Sequence, residues 1–231
     1  MLITEEMPQS ISAEAYRTLR TKIKYYSVDK PIKSIVITAA EADEGKSTIA
    51  GNLAYSLSQD GSNVMIIDCD LRKPSLQRKF DVENDKGLTD FLINKYTLEE
   101  ISKKISNKLS LITAGAIPPN PAELLGSNKL SALIKELSIR YDYIIIDTPP
   151  IRAVTDAEVL AAKSDATLLV VRAGRSKAKS IFSAYDELVK VKANIIGTIL
   201  NEIDSNSNLS YHSYYKDKKK KKFSLIKFSK K

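Results

Sequence analysis

Lys46 lies in the segment Ala40-Glu41-Ala42-Asp43-Glu44-Gly45-Lys46-Ser47-Thr48, which follows an apolar run and opens a stretch of helical composition. That is the setting of a phosphate-binding loop, where backbone N–H groups and a helix N-terminus turn toward an anion. Lys46 would reach the β- and γ-phosphates of a nucleotide and Ser47 would put its hydroxyl on Mg²⁺. Thr48 would touch the α-phosphate, and Glu44 and Gly45 complete the cradle. The first position of the pattern is Ala40 instead of glycine, a residue with less backbone freedom. Two further apolar runs end in acids. NVMIID followed by Cys69 places Asp68 and Asp70 at one strand end, and YIIID followed by Thr148 places Asp147 at another. The carboxyl ends of strands line the ligand crevice of a doubly wound sheet. Three carboxylates beside a phosphate loop point to a cation, and Mg²⁺ needs only one or two of them, partly through water. ATP and Mg²⁺ are therefore the expected ligands.

The elements that must position these residues are short runs, rich in β-branched residues, at 34–39, 63–68, 109–114, 141–147, 166–172 and 194–200. They are nearly continuous in apolar character, as strands buried on both faces are. Helical stretches at 47–59, 128–139, 155–163 and 177–192 separate several of them. The alternation predicts an α/β fold of the P-loop NTPase type: a doubly wound, mainly parallel sheet with helices on both faces. A further helix is expected over 12–26, capped by Ser12, before Lys30-Pro31 breaks the chain. Three parts are thus expected: an N-terminal helix (1–30), a P-loop domain (31–205), and a tyrosine- and lysine-rich tail (206–231) whose composition reads as disordered when free.

A chain of 231 residues suffices for one α/β domain. No run approaches the roughly 18 apolar residues that span a membrane, and the acidic start MLITEEMPQS does not read as a signal peptide. The single Cys69 rules out an internal disulfide and suits a reducing compartment, so the expected location is the cytoplasm. The net charge of +8 is concentrated from Lys216 onward, where nine lysines face one aspartate. The body is therefore neutral, and no nucleic-acid partner is expected. A lysine run next to Phe223, Leu225, Ile226 and Phe228 would suit an anionic membrane surface. His212, the only histidine, reads as incidental.

Taken in order, these motifs resemble the bacterial tyrosine kinases of capsular and exopolysaccharide operons, in the form where the kinase is a separate cytoplasmic protein. The resemblance rests on Gly45-Lys46-Ser47, IIDCDLRKP (66–74), PPNPAELL (118–125), IIIDTPP (144–150), TDAEVLA (155–161), VVRAG (170–174) and the tyrosine cluster. It implies a non-specific protein-tyrosine kinase that autophosphorylates Tyr211, Tyr214 and Tyr215 in trans and regulates polysaccharide synthesis and export. Asp68 and Asp70 would stand where the tyrosine hydroxyl meets the γ-phosphate, one of them accepting or orienting its proton. Ser47, Asp68 and Asp147 would hold the metal. Asn201 would read the adenine. Arg72 is open between binding phosphate or orienting an acid and a structural ion pair. Glu14, Arg17 and Arg20, spaced as E-x-x-R-x-x-R, would contact the next subunit of a ring. The implied partners are a membrane-embedded polysaccharide co-polymerase that activates the kinase, which would hold it at the inner face of the plasma membrane, and a cognate tyrosine phosphatase. The rival reading is a division-site or partitioning ATPase without kinase activity. Those proteins carry an extra lysine one place after the first glycine of the loop; here that place is Glu41.

Overall fold

In the computed structural model, residues 2–28 and 31–203 are described. The apolar runs become a seven-stranded sheet in the order β3-β4-β2-β5-β1-β6-β7. Its strands are β1 (Ser34–Ala39), β2 (Val64–Asp68), β3 (Ser102–Lys104), β4 (Leu109–Ile112), β5 (Tyr143–Asp147), β6 (Ala166–Arg172) and β7 (Ile195–Asn201). All are parallel except β3, which pairs antiparallel with β4 at one edge. β3 is not among the expected strands: Ser-Lys-Lys has no apolar alternation, and it is held by backbone pairing with β4, by Ser102 Oγ on the Leu98 carbonyl at 2.7 Å and by Lys103 against Asp85 at 3.4 Å.

The helices are α1 (Ile3–Glu6), α2 (Ile11–Tyr26), α3 (Lys46–Gln59), α4 (Leu76–Phe80), α5 (Leu88–Leu92), α6 (Leu98–Ile101), α7 (Pro121–Gly126), α8 (Asn128–Arg140), α9 (Asp156–Ala161) and α10 (Ala178–Lys190). Successive residues of a central strand go to opposite layers. Val36, Met65, Ile67, Ile144 and Ile146 pack with Leu133 and Leu137 of α8, Leu160 of α9 and Leu188 of α10. Their neighbours Ile35, Ile37, Ile66 and Ile145 pack with Ile23 of α2 and Ile49, Leu53 and Leu57 of α3. The doubly wound sheet is thus as read from the sequence. Fully burying one such side chain contributes about 1.5–3 kcal/mol, so the two layers fix where each strand ends. The α2 cap differs: Ser10, not Ser12, accepts the N–H of Ala13 at 3.1 Å, and the helix starts at Ile11.

Parallel pairing brings the carboxyl ends of β1, β2, β5, β6 and β7 to one edge of the sheet. Asp68 and Asp147 are direct register partners across β2 and β5. Val170 pairs with Ala39, and Arg172 with Asn201, on the other side of the phosphate loop.

Candidate nucleotide and acid site

The loop between β1 and α3 is built for close approach. Gly45 caps α3 in the left-handed region, at φ 93°. A Cβ there would also stand 2.1 Å from Asn201 Nδ2, so another residue would displace that side chain as well as strain the backbone. Ala40 is buried and is not among the residues of positive φ, which explains why alanine serves at that position. Asp43 does take a left-handed φ of 60°.

Side chains from β5, β6, β7 and the turns after them brace the loop. The Glu44 carboxylate accepts the Glu41 N–H at 3.1 Å and the Ser176 hydroxyl. Asn201 donates from Nδ2 to the Glu44 carbonyl at 3.1 Å, and Arg172 donates to the Asp43 carbonyl at 3.0 Å. Arg152 pairs with Glu41 and reaches the Ser180 hydroxyl at 2.8 Å. The carboxylate of Glu44 therefore shapes the cradle from behind. An acid turned toward phosphate would repel it.

The two strand-end acids differ in their surroundings, although both are fully buried. Asp68 accepts three backbone N–H groups: Asp70 at 3.1 Å on Oδ1, and Ser75 and Leu76 at 3.0 Å each on Oδ2. It ties the loop after β2 and the start of α4 to the strand end. Burial pushes its pKa up to about 7, against the pull of those N–H groups. Neither oxygen of Asp147 makes a hydrogen bond of ordinary geometry. Burial first, and then the Asp68 charge, hold its carboxyl well above the usual carboxylate range; the nearby Ser47 hydroxyl and the Lys46 ammonium pull it down. Asp70 is only partly buried at the rim, where its Oδ1 accepts the Lys73 N–H at 2.9 Å.

An unpartnered buried carboxylate costs several kcal/mol unless a charge compensates it. Asp147, Asp68 and the Ser47 hydroxyl form an all-oxygen donor set, the kind Mg²⁺ prefers. Among the described residues, no three His, Cys, Asp or Glu side chains form a cage. Mg²⁺ is commonly bound through one or two carboxylates with water and substrate phosphate completing its shell. The site therefore fits the expected cation.

For Arg72 the structure shows the ion pair. Its Nε and Nη2 fork onto Asp156 Oδ2 and Oδ1 at 3.0 and 3.2 Å. Asp156 is fully buried at the start of α9, so this fork fastens the loop after β2 to the loop after β5. Arg17 bonds Glu14 and the Pro8 carbonyl, with both side chains 39% exposed. Arg20 instead lies along α3, donating to the Ser56 carbonyl at 2.8 Å and pairing with Asp60 at 3.4 Å. Tyr211, Tyr214 and Tyr215 lie outside the described residues.

Lys79, Asp156, Arg152, Ser176 and Arg172 were not among the expected site residues, although each touches the site or its braces. Lys79 donates from Nζ to Thr48 Oγ1 at 2.9 Å. TDAEVLA carried a signal for Asp156 and VVRAG one for Arg172; Lys79, Arg152 and Ser176 have no local motif.

Residues 32–201 match a family model described as an AAA domain. The chain is 43% identical over 209 residues to "Tyrosine-protein kinase YwqD" of Bacillus subtilis, covering 90% of this chain and 86% of that protein. It is 33% identical to "Tyrosine-protein kinase etk" of Escherichia coli over 88% of its own length, which is 28% of the relative. The solved kinase domain of that Escherichia coli enzyme superposes with a TM-score of 0.84 at 33% identity, covering 87% of this chain and 79% of that one. The septum site-determining protein MinD of Pyrococcus horikoshii, solved with Mg-ADP, shares the fold at a TM-score of 0.63 and 25% identity, covering 73% of this chain and 69% of its own. Among the described residues, no helix is long and apolar enough to cross a membrane.

Proposed function

The chain belongs to the bacterial tyrosine-protein kinase family, and from that premise we propose that it transfers the γ-phosphoryl group of ATP to Tyr211, Tyr214 and Tyr215 of a neighbouring copy. The observation that carries this reading is the in-register pair of buried acids, one of them unpartnered, beside Lys46 and Ser47. Mg²⁺, when bound, supplies positive charge to the β- and γ-phosphate oxygens and to this pair. Ser47 and Asp147 would hold it, with Asp68 alongside. Lys46, at the first turn of α3, neutralises the phosphate oxygens. Asp68 sets the loop after β2 through its three N–H bonds and so leaves Asp70, at the rim, to take or orient the tyrosine proton. Arg72 acts at one remove, as a positioning residue, by fastening that loop to Asp156. Asn201, against Gly45, is assigned to the adenine side. Glu41, paired with Arg152, argues against the partitioning-ATPase reading, which calls for lysine at its place.

The setting we propose is regulation of capsular or exopolysaccharide synthesis, with a membrane-embedded activator and a cognate phosphatase as partners. The Escherichia coli relative supports the first partner, because most of its length lies beyond the part this chain matches.

Two mixed proteins test transfer in trans. One copy is Lys46→Met with its tail intact; the other carries Tyr211→Phe, Tyr214→Phe and Tyr215→Phe with its site intact. With ATP·Mg²⁺ and activator, an anti-phosphotyrosine blot should label only the Lys46→Met chain. An unlabelled mixture beside a labelled wild type would remove the trans reading, and an unlabelled wild type would remove the kinase reading.

The contact between copies is assigned to Glu14 and Arg17, whose side chains stand half-exposed on α2. Sedimentation of Arg17→Ala should therefore show loss of assembly with nucleotide binding intact. Arg20→Ala should lower thermal stability as well, since Arg20 also holds α2 to α3. An Arg17→Ala protein that still assembles would contradict the assignment.

A further inference from the structure

Two helices on opposite faces of the sheet carry exposed stripes that their own packing does not use. α10 turns Ala184 and Leu188 into one layer of the core. Its outer side presents Ala178, Phe182, Tyr185 and Val189, with Phe182 69% exposed and Tyr185 and Val189 about half exposed. α2 turns Tyr16 and Ile23 into the opposite layer. Its outer side presents Ile11, Ala15, Thr18, Lys22 and Tyr25.

Both stripes step along the chain by four and three residues in alternation. That is the 3.5-residue spacing at which one helix seats its side chains between those of another. An exposed apolar stripe rimmed by charge marks a surface for another protein. Lys179 and Asp186 flank the stripe of α10, and Glu14 and Arg17 flank that of α2, so each flank offers both signs to the other. The sizes also match. Ala15 and Thr18 leave room at the centre of α2, whereas Phe182 and Tyr185 stand at the centre of α10. Because the stripes lie on opposite layers of one chain, a contact between them gives each copy a neighbour on either side. That is a head-to-tail contact, the kind that builds rings when its rotation closes.

We propose that α10 is the face that receives α2 of the next copy, with Phe182 and Tyr185 filling the space beside Ala15 and Thr18. The inference rests on the assembly reading above, in which only the α2 side of the contact is assigned. α10 also begins at the braces of the phosphate loop: Ser180 meets Arg152, the partner of Glu41. A neighbour seated on α10 is therefore held beside the nucleotide edge of the sheet, as transfer in trans requires.

The test is sedimentation of the full chain over a range of concentrations. Phe182→Asp should raise the dissociation constant of the assembly at least about 30-fold, as loss of a buried aromatic anchor does. Its melting temperature as a single chain and its ADP affinity should not change, because the ring stands in water there. Ala15→Glu, a change between two good helix formers, should weaken assembly from the other side. A mixture of the two variants decides the pairing. The Ala15→Glu copy keeps its α10 and the Phe182→Asp copy keeps its α2, so together they should form dimers and nothing larger. A Phe182→Asp protein that assembles like wild type, or a mixture that stays monomeric, would overturn the proposal. A wild type that stays monomeric at every concentration would instead remove the assembly reading itself.

Discussion

Replacing Lys46 by methionine should lower the rate of tyrosine phosphorylation by at least about 1,000-fold while leaving the sheet and its helices intact. Lys46 opens α3 directly after the left-handed Gly45 and is only 7% exposed, so its ammonium enters the cradle with little freedom. Two effects then combine. Phosphoryl transfer depends on fixed positive charge at the phosphate oxygens, because the protein does little covalent chemistry in this reaction. Lys46 also favours the ionised form of Asp147. Losing it removes a phosphate contact and makes the neighbouring carboxylate harder to ionise. Lys46→Arg should not rescue, since a planar guanidinium is not interchangeable with a compact ammonium in a site closed around it. The initial rate of phosphotyrosine formation from labelled ATP, with circular dichroism as the control for folding, is the measurement. A Lys46→Met protein within tenfold of wild type would show that the phosphates are neutralised elsewhere.

What could be read in advance, and what could not, follows from the range of the interactions. Ile35 to Ala39, Val64 to Asp68 and Tyr143 to Asp147 are buried on both faces, so their composition alone marks them as strands. The strand-end acids and the loop from Ala40 to Ser47 are local motifs, legible for the same reason. β3 was not legible, because Ser-Lys-Lys has no period. α4 to α7, at four to six residues each, are too short to display helical periodicity. Those short helices and loops supply much of what completes the site. Lys79 reaches Thr48 across 31 residues of sequence, Arg72 reaches Asp156 across 84, and Ser176 reaches Glu44 across 132. No spacing rule connects such pairs, and only the topology of the sheet brings them to one edge. Arg72 illustrates the point. Its proximity to Asp70 in sequence left phosphate binding open, whereas the fold gives its guanidinium a buried carboxylate from another loop.

Asp147→Asn should abolish kinase activity and yet raise the melting temperature of the nucleotide-free protein, whereas Asp68→Asn should lower both. The contrast lies in the hydrogen bonds. Asp147 has no partner of ordinary geometry for either oxygen, and its charge is opposed by burial and by Asp68. Removing that charge relieves the folded state, by on the order of 1–3 kcal/mol, or roughly 2–4 °C per kcal/mol for a domain of this size. Asp68 accepts three backbone N–H groups, and an amide presents only one oxygen to them. Each buried donor left unmatched costs about 1–3 kcal/mol, which outweighs relief of the charge. The pH dependence follows from the direction of the shifts. Folding raises the pKa of both carboxyls above the ordinary value of 3.8, so the folded state holds its protons more tightly than the unfolded state. The stability this contributes is fully present below that value and is lost as the pH rises toward the folded values, about 7 for Asp68. The advantage of Asp147→Asn over wild type should therefore be absent near pH 4 and grow between pH 5 and 8. Saturating Mg·ADP should reverse the order. Wild type gains stability in proportion to binding, and the variant has lost the carboxylate proposed to hold the ion. Thermal melts of wild type and both variants across that pH range, with and without Mg·ADP, decide the matter. An Asp147→Asn protein less stable than wild type at pH 8 without nucleotide would mean that Asp147 has a partner within the fold and is not the vacant ligand this site requires.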